Sequence, residues 1–295
     1  MKTSFFTDLG SFFRHPVTFE QESPKVEWLK VLQSYALLSA GALVAGIIAS
    51  VTLTYFGPDS ENAIEGLFDG QTSWQDIALM AIVIGPILEE LAFRLLLRFS
   101  KVTLAFGIPL FGGFLGLFFG QSLTLPYVSL LLMLSFILFI AFSLTKNFES
   151  YRSKYHKAYP YILYGTVLSF GFAHLTNFSN PIDLIWFAPL INLPQLWAGA
   201  LFTYVRVKFG FLFTTAFHMI YNAIAVSPIL TLYAFGIDIN AELTQESLES
   251  MLDTNEIIAL SGLTILGSLF ALAVLALNIY SIIEWAKHRQ QKTHK

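Results

Sequence analysis

The sequence predicts an all-α fold, a polytopic transmembrane helical bundle of about eight helices with both termini in the cytoplasm. Hydrophobic residues make up 55% of the 295 residues and charged residues only 13%, whereas about a quarter of the residues of a typical soluble domain are charged. The apolar residues also fall into runs of roughly 20, the length at which a helix crosses a hydrocarbon core of about 30 Å. Composition and run length therefore favour the same class.

Eight such runs follow one another along the chain. They are Val31–Phe56, Ile77–Phe99, Val102–Phe119, Tyr127–Leu144, Tyr161–Phe178, Leu184–Val205, Phe211–Ala234 and Glu256–Ile283. The sixth run contains Pro189, Asn192, Pro194 and Gln195. Because proline lacks a backbone N–H, we expect a kinked or broken helix there, with its freed carbonyls satisfied by neighbouring helices.

Charge alternates between successive connections, which supports this number of spans independently of hydropathy. Basic residues lie in the N-terminal arm, after the second, fourth and sixth runs, and in the tail: Lys2, Arg14, Lys25, Lys30, Arg98, Lys101, Lys146, Arg152, Lys154, Lys157, Arg206, Lys208, Lys287, Arg289, Lys292 and Lys295. The connections after the first and seventh runs are acidic: Asp59, Glu61, Glu65, Asp69, Asp238, Glu242, Glu246, Glu249 and Asp253. Because basic connections lie in the cytoplasm, we predict a multi-pass protein of the cell membrane.

The chain divides into an arm, a bundle and a tail. Residues 1–29 lack the continuous apolar region of a signal peptide, and we expect them to form a cytoplasmic or interfacial arm. Residues 30–284 form the predicted bundle, and residues 285–295 form a basic cytoplasmic tail. There is no cysteine, which excludes disulfides and a cysteine nucleophile. No basic stretch is dense enough for nucleic acid, so the lipid bilayer is the first predicted partner.

The second run contains three charged residues, Glu89, Glu90 and Arg94. A charge at mid-bilayer costs at least about 2.5–3.5 kcal/mol, so these residues need a reason to be there. Glu90 and Arg94 are four residues apart with the acid first, the better orientation for an ion pair. Glu89 lies about 100° round the helix without that partner, which leaves it available as a general base. Pro86 disrupts the preceding turn and makes room for water beside Glu89.

Two later runs carry histidines. The fifth contains Phe170 and His174, and the seventh contains His218 and Asn222 on one helical face. Two adjacent neutral donors can hold the oxyanion of a tetrahedral intermediate. The helical rise places Glu89 and His218 about 15 Å from the cytoplasmic ends of their helices but His174 about 22 Å, a mismatch that a tilt or a later helix start would absorb. Taken singly, such polar residues more often only hold helices together.

Three patterns occur in order on three predicted spans: Glu89-Glu90-x-x-x-Arg94, Phe170-x-x-x-His174 and His218-x-x-x-Asn222. Together they resemble the CAAX protease and bacteriocin-processing family of intramembrane proteases. The resemblance covers roughly Ile77 to Ala234, which would be the protease core of the bundle. It implies a glutamate-dependent, membrane-embedded endopeptidase.

The resemblance also implies roles for individual residues. Those that correspond to the catalytic set are Glu89, His174, His218 and Asn222. The first two would activate water and the last two would stabilise the oxyanion. Those that correspond to the structural support of the site are Glu90, Arg94 and Phe170.

The implied reaction is hydrolysis of a peptide bond in a membrane-associated peptide or protein, with no cofactor and no metal. A zinc site made from Glu89, His174 and His218 is the second interpretation, since Asn222 beside His218 fits oxyanion binding better than coordination. Two non-enzymatic alternatives stay open. One is a membrane scaffold or immunity-type protein of the same fold, and the other is a transporter, because intramembrane acids and broken helices also line transport paths.

Overall fold

The computed structural model describes residues 3–16, 27–57, 72–118, 124–178, 181–237 and 254–293. Within these ranges the chain forms α-helices and no strand, so the predicted all-α class is confirmed. The helices are α1 (Phe5–Arg14), α2 (Trp28–Phe56), α3 (Trp74–Ala78), α4 (Gly85–Arg94), α5 (Lys101–Phe118), α6 (Leu125–Leu144), α7 (Arg152–Ala173), α8 (Ala188–Ile191), α9 (Leu193–Phe209), α10 (Phe211–Ala234) and α11 (Thr254–Thr293).

Four helices in the described ranges are long and apolar enough to cross a membrane: Trp28–Phe56, Leu125–Leu144, Phe211–Ala234 and Glu256–Gln291. They correspond to the first, fourth, seventh and eighth predicted spans. A further apolar helix, Lys101–Gly116, is shorter. The total of eight spans and the cytoplasmic position of both termini stay predictions. The acidic connections on which the orientation depends lie outside the described residues, as do Lys2, Lys25, Phe119, Lys295 and the side chain of Lys292.

The second predicted span is helical but irregular. α3 continues into a π-helix, Leu79–Ile84, and α4 follows it directly. Gly85 donates its N–H to the carbonyl of Met80, five residues back. In the same register residue 86 would donate to Ala81, but Pro86 has no N–H. The disturbance expected at Pro86 is therefore a widened turn that leaves one carbonyl without its helical donor.

The sixth predicted span is broken, as expected from its prolines. α8 ends at Ile191 and α9 begins at Leu193, with Pro194 in the first turn of α9, where its missing N–H costs nothing. The next boundary is also set by one residue. Gly210 joins α9 to α10 with φ of 98°, a conformation in which a side chain would be strained.

The core of the bundle is centred on α9, which packs against α2, α7 and α10. Its residues Leu201, Phe202, Tyr204 and Val205 are all buried. α2 and α9 approach closely at Gly41, where an added Cβ would stand 2.1 Å from Nε1 of Trp197. α7 and α10 pack directly on this central helix and α4 packs against both of them. These three elements carry the predicted site residues.

α1 is docked on the end of this bundle. Phe5 and Phe12 are buried in the main hydrophobic cluster, and the cytoplasmic or interfacial position of residues 1–29 stays a prediction. Asp8 of α1 forms ion pairs with Nζ of Lys30 at 3.0 Å and with Nζ of Lys208 at 2.7 Å. The first helix is therefore packed and charge-paired against both α2 and α9.

Candidate active site

Glu90 lies at the centre of a charged cluster that is closed to the surface. Its side chain and that of Arg94 are both 0% exposed, and Oε1 of Glu90 is 3.8 Å from Nε of Arg94. The ion pair expected from the i,i+4 spacing is therefore present. The same Oε1 accepts a hydrogen bond from Nδ1 of His218 at 3.0 Å. A buried carboxylate needs such charged and hydrogen-bonded partners, since desolvation alone would be costly.

Arg94 is held in place from two further helices. Its Nη2 donates to the carbonyl of Gly199 on α9 at 3.4 Å, and its guanidinium lies 4.2 Å from the ring centroid of Phe170 on α7. Cation–π contacts of this kind strengthen when the cation is desolvated. Phe170 therefore supports the arginine directly, and Arg94 joins α4 to α7 and α9.

His218 lies between the two carboxylates. Its Nδ1 faces Glu90, and its Nε2 is 3.6 Å from Oε2 of Glu89. An ionised Glu90 can only accept, so Nδ1 carries a hydrogen. Phe202 stacks on the imidazole with ring centroids 4.1 Å apart at 31°, which fixes the ring plane. The two residues that the helical rise places at similar depth, Glu89 and His218, do meet in the structure.

His174 lies just after the end of α7, at the start of a 3₁₀ turn, His174–Asn177. α7 begins at Arg152, so a later helix start does not account for the depth mismatch expected from sequence. Its Nδ1 is 2.7 Å from the carbonyl oxygen of Phe170. Because that carbonyl only accepts, Nδ1 donates, and in the neutral ring Nε2 is then the acceptor. His174 thus offers an acceptor of fixed orientation.

Asn222 is hydrogen-bonded to the irregular second predicted span. Its Nδ2 donates to the carbonyl of Ala81 at 2.9 Å. This is the carbonyl that Pro86 leaves without a helical donor. Asn222 therefore has a structural contact that the sequence did not predict, while the amide keeps a second N–H.

A cavity of about 630 Å³ brings the predicted catalytic residues together. Glu89, His174, His218 and Asn222 all line it. Most of the rest of the wall is apolar, and the cavity extends along α3 and α10 as far as Thr72 and Ile229. Its volume lies within the range of sites that bind small molecules or peptide side chains. A few polar groups in an otherwise apolar cavity are the usual composition of such a site.

A second cavity of about 80 Å³ lies against the same residues. Glu89, His174 and Asn177 line both cavities, and Phe93, Phe114 and Thr176 belong to the small one only. A cavity needs roughly 10–15 Å³ of space to hold a water molecule, so the small cavity is large enough to admit water. Glu89 is thus accessible from two spaces of very different size.

The alternative zinc site has less geometric support than the cavity. In the part of the chain that the structure describes, no group of three or more His, Asp and Glu side chains could hold a metal ion. Glu89, His174 and His218 therefore do not form the zinc set of the second interpretation in this arrangement. Their shared feature is the cavity wall.

α9 supplies three residues that the sequence analysis did not assign to the site. Gly199 accepts from Arg94, Phe202 stacks on His218, and Arg206 donates from Nε to the carbonyl of Arg94 at 3.2 Å. Spacings of three and four place these residues on one helical face. The sequence contains that spacing, but Arg206 directly follows the sixth predicted span, Leu184–Val205, and its position there predicts a cytoplasmic charge.

Comparison of this chain with protein-family models, with curated proteins and with solved structures gives no match. The functional assignment therefore depends on the residues and on their geometry.

Proposed function

We propose that this chain is an intramembrane endopeptidase of the CAAX protease and bacteriocin-processing type, which hydrolyses a peptide bond in a membrane-associated peptide or protein. One observation carries the proposal. Glu89 lies beside His218 on the wall of a cavity of about 630 Å³ and also lines a cavity of about 80 Å³. The large cavity is the proposed place of the substrate segment, and the small one is the proposed place of the attacking water.

In the proposed reaction Glu89 is the general base. It takes a proton from water while the water oxygen attacks the scissile carbonyl carbon. Nε2 of His174 accepts a hydrogen bond from the second hydrogen of the water, which stays on the attacking oxygen, and so orients the molecule, because Nδ1 is occupied by the Phe170 carbonyl. The tetrahedral intermediate then collapses, the C–N bond breaks, and the proton held by Glu89 passes to the leaving nitrogen.

The negative charge on the substrate oxygen needs donors in a site with little water. The second N–H of Asn222 is one proposed donor, since its first is used by Ala81. The other proposed donor is Nε2 of His218, which carries a hydrogen when the ring is protonated. That hydrogen is free for the substrate oxygen, because the 3.6 Å separation between Nε2 and Glu89 is longer than a hydrogen bond. In this proposal Glu90 and Arg94 hold His218 in position.

We further propose that the irregular elements also lie within the membrane, which gives eight spans and two cytoplasmic termini. α4, α7, α9 and α10 supply the contacts of the charged cluster. The π-helix packs against α4 and α10, and α8 packs against α2 and α9. Irregular backbone at membrane depth is tolerated where it is buried in protein or lines a cavity. The alternating charge of the connections supports the orientation.

The test is replacement of Glu89 with Gln, which keeps the size of the side chain and removes the base. Membrane-protein termini are compared by proteomics between wild-type and variant cells, followed by cleavage of the identified substrate with purified protein. We expect the cleavage rate to fall by at least about 10²–10⁴-fold, the usual contribution of a general base. Glu149→Gln is the matched control, because Glu149 is exposed and pairs with Arg152 outside the cavity.

The outcomes separate the alternatives. Undiminished cleavage by a folded Glu89→Gln protein excludes Glu89 as the base. A cellular phenotype that survives both Glu89→Gln and His218→Ala favours the scaffold or immunity-type protein. Solute uptake by the purified protein in vesicles favours the transporter.

A further inference from the structure

A second large cleft lies outside the candidate active site, between α1 and the C-terminal part of α11. Its volume is about 630 Å³. Four basic side chains line it, Arg14 and His15 from the end of α1 and His288 and Arg289 from α11. No acidic residue is among the described residues of its lining. The cleft therefore brings two guanidinium groups, those of Arg14 and Arg289, together with two imidazoles.

The described residues offer none of these four side chains an ion-pair partner. Asp8, the acid of α1, is already occupied by Lys30 and Lys208. Cations at a helix C-terminus interact favourably with its carbonyls, which accounts for Arg14 and His15 on α1. It does not account for their meeting His288 and Arg289 in one cleft. Charges that converge without a counter-charge favour an anionic ligand.

Much of α11 exposes apolar side chains, and one row of them, the apolar stripe, leads to this cleft. Its residues are Leu272, Leu275, Ile279 and Ile282, with 62%, 56%, 47% and 54% of their surface exposed. Spacings of three and four put them on one face of the helix. Leu272 and Ile282 are about 15 Å apart along the helix, and Ile282 itself lines the cleft. A ligand with both an anionic head and a long apolar chain would use both features.

We infer that this cleft binds an anionic phospholipid, with the phosphate among the basic side chains and an acyl chain along the stripe. Arginine suits phosphate because its planar guanidinium donates in pairs. Basic pockets between helices at the membrane surface bind anionic headgroups. Trp285 also lines the cleft, and the guanidinium of Arg289 lies 4.5 Å from its ring centroid. Tryptophan is enriched at the level of the headgroups, which is where this inference places it.

The test measures lipid binding by the full-length protein. The purified protein is titrated with phosphatidylglycerol or with phosphatidylcholine, and retained lipid is counted by native mass spectrometry. The test variant is Arg14→Gln with Arg289→Gln, and the matched control is Lys101→Gln with Lys154→Gln, which removes two basic charges outside the cleft. We expect wild type and control to prefer phosphatidylglycerol and the test variant to bind it roughly 30-fold more weakly, from the usual contribution of two surface cations.

Each other outcome overturns the inference. An equal loss of phosphatidylglycerol binding in both double variants means general attraction to the protein surface. Full retention of that binding in the test variant means that the cleft is not the site. Competition by millimolar inorganic phosphate as effective as that by the lipid means a free-phosphate site. Ser11→Glu, which adds a negative charge to the same lining, is an independent variant and is expected to weaken binding too. The binding measurement is independent of peptidase activity.

Discussion

Two ion clusters among the described residues differ in their hydrogen bonding. At the end of the bundle Asp8 uses both oxygens, accepting from Lys30 and Tyr204 on Oδ2 and from Lys208 on Oδ1. In the interior, three atoms make no hydrogen bond within the described residues, namely Oε2 of Glu90 and Nε and Nη1 of Arg94. Buried ionic groups contribute little net stability even when well paired. The interior cluster is therefore better understood as the support of His218 and Glu89 than as a stabilising contact, whereas the cluster of Asp8 joins three helices.

Removal of one interior charge tests this comparison most strongly. Glu90→Gln leaves the buried Arg94 without its carboxylate and removes the ionic partner of His218. We expect the free energy of unfolding to fall by about 3–5 kcal/mol, the usual result of breaking a buried pair. The measurement is chemical unfolding of the purified protein in detergent.

The matched variant removes both charges. Glu90→Leu with Arg94→Met should recover most of the lost stability, because apolar residues of similar volume often replace buried pairs without loss. Peptidase activity should stay lost in the double variant if the pair holds the site. A double variant as unstable as Glu90→Gln would mean that the pair is itself a stabilising contact, and the comparison between the clusters would then be wrong.

The hydrogen bond between Asn222 and Ala81 extends the comparison from ion pairs to an uncharged contact. Asn222→Leu should cost about 1–3 kcal/mol, because it leaves the part-buried carbonyl of Ala81 without a donor. Pro86→Ala restores a backbone N–H in the turn where Ala81 lacks its helical partner. The stability cost of Asn222→Leu should therefore be smaller when Pro86→Ala is also present.

This double-mutant cycle, followed by unfolding and by cleavage assays, separates two roles of Asn222. A structural donor gives a coupling energy in stability. A residue that acts only on the oxyanion gives unchanged stability, no coupling with Pro86, and a loss of cleavage rate alone.

The sequence predicted those features that depend on local spacing. The Glu90–Arg94 pair and the break near Pro194 follow from neighbours along one helix, and both are present. The partners of Asn222 and His218 depend on other helices. Ala81 needs a donor only because a π-helix meets Pro86, and no helical-face argument on α10 contains that information.

The docking of α1 could not be predicted from the sequence either, for a similar reason. Its phenylalanines suit a membrane interface and a protein core equally well. Burial of Phe5 and Phe12 depends on Tyr204 of α9, whose ring packs edge-on against both. Nothing along residues 1–29 indicates that partner.

The smallest predicted effect concerns Asp8 and its dependence on pH. Burial alone would raise the pKa of Asp8, but hydrogen bonds and charge attraction from Lys208 and Lys30 outweigh it, so the pKa lies below the ordinary value. The folded state therefore favours the ionised form. Its contribution is fully present above the unfolded pKa of about 3.9 and is lost as the pH falls through the folded pKa. For a partly exposed pair we expect roughly 1 kcal/mol.

Asp8→Asn should accordingly be less stable than wild type at pH 7, and the difference should shrink as the pH falls from 5 towards 3. Thermal unfolding across that range is the measurement, with Glu149→Gln as a control. Glu149 pairs with Arg152 at the surface, and that variant should unfold like wild type throughout. A difference for Asp8→Asn that persists at low pH would assign the effect to packing or to the Tyr204 hydrogen bond rather than to charge. In that case charge pairing would not be what holds α1 to α2 and α9.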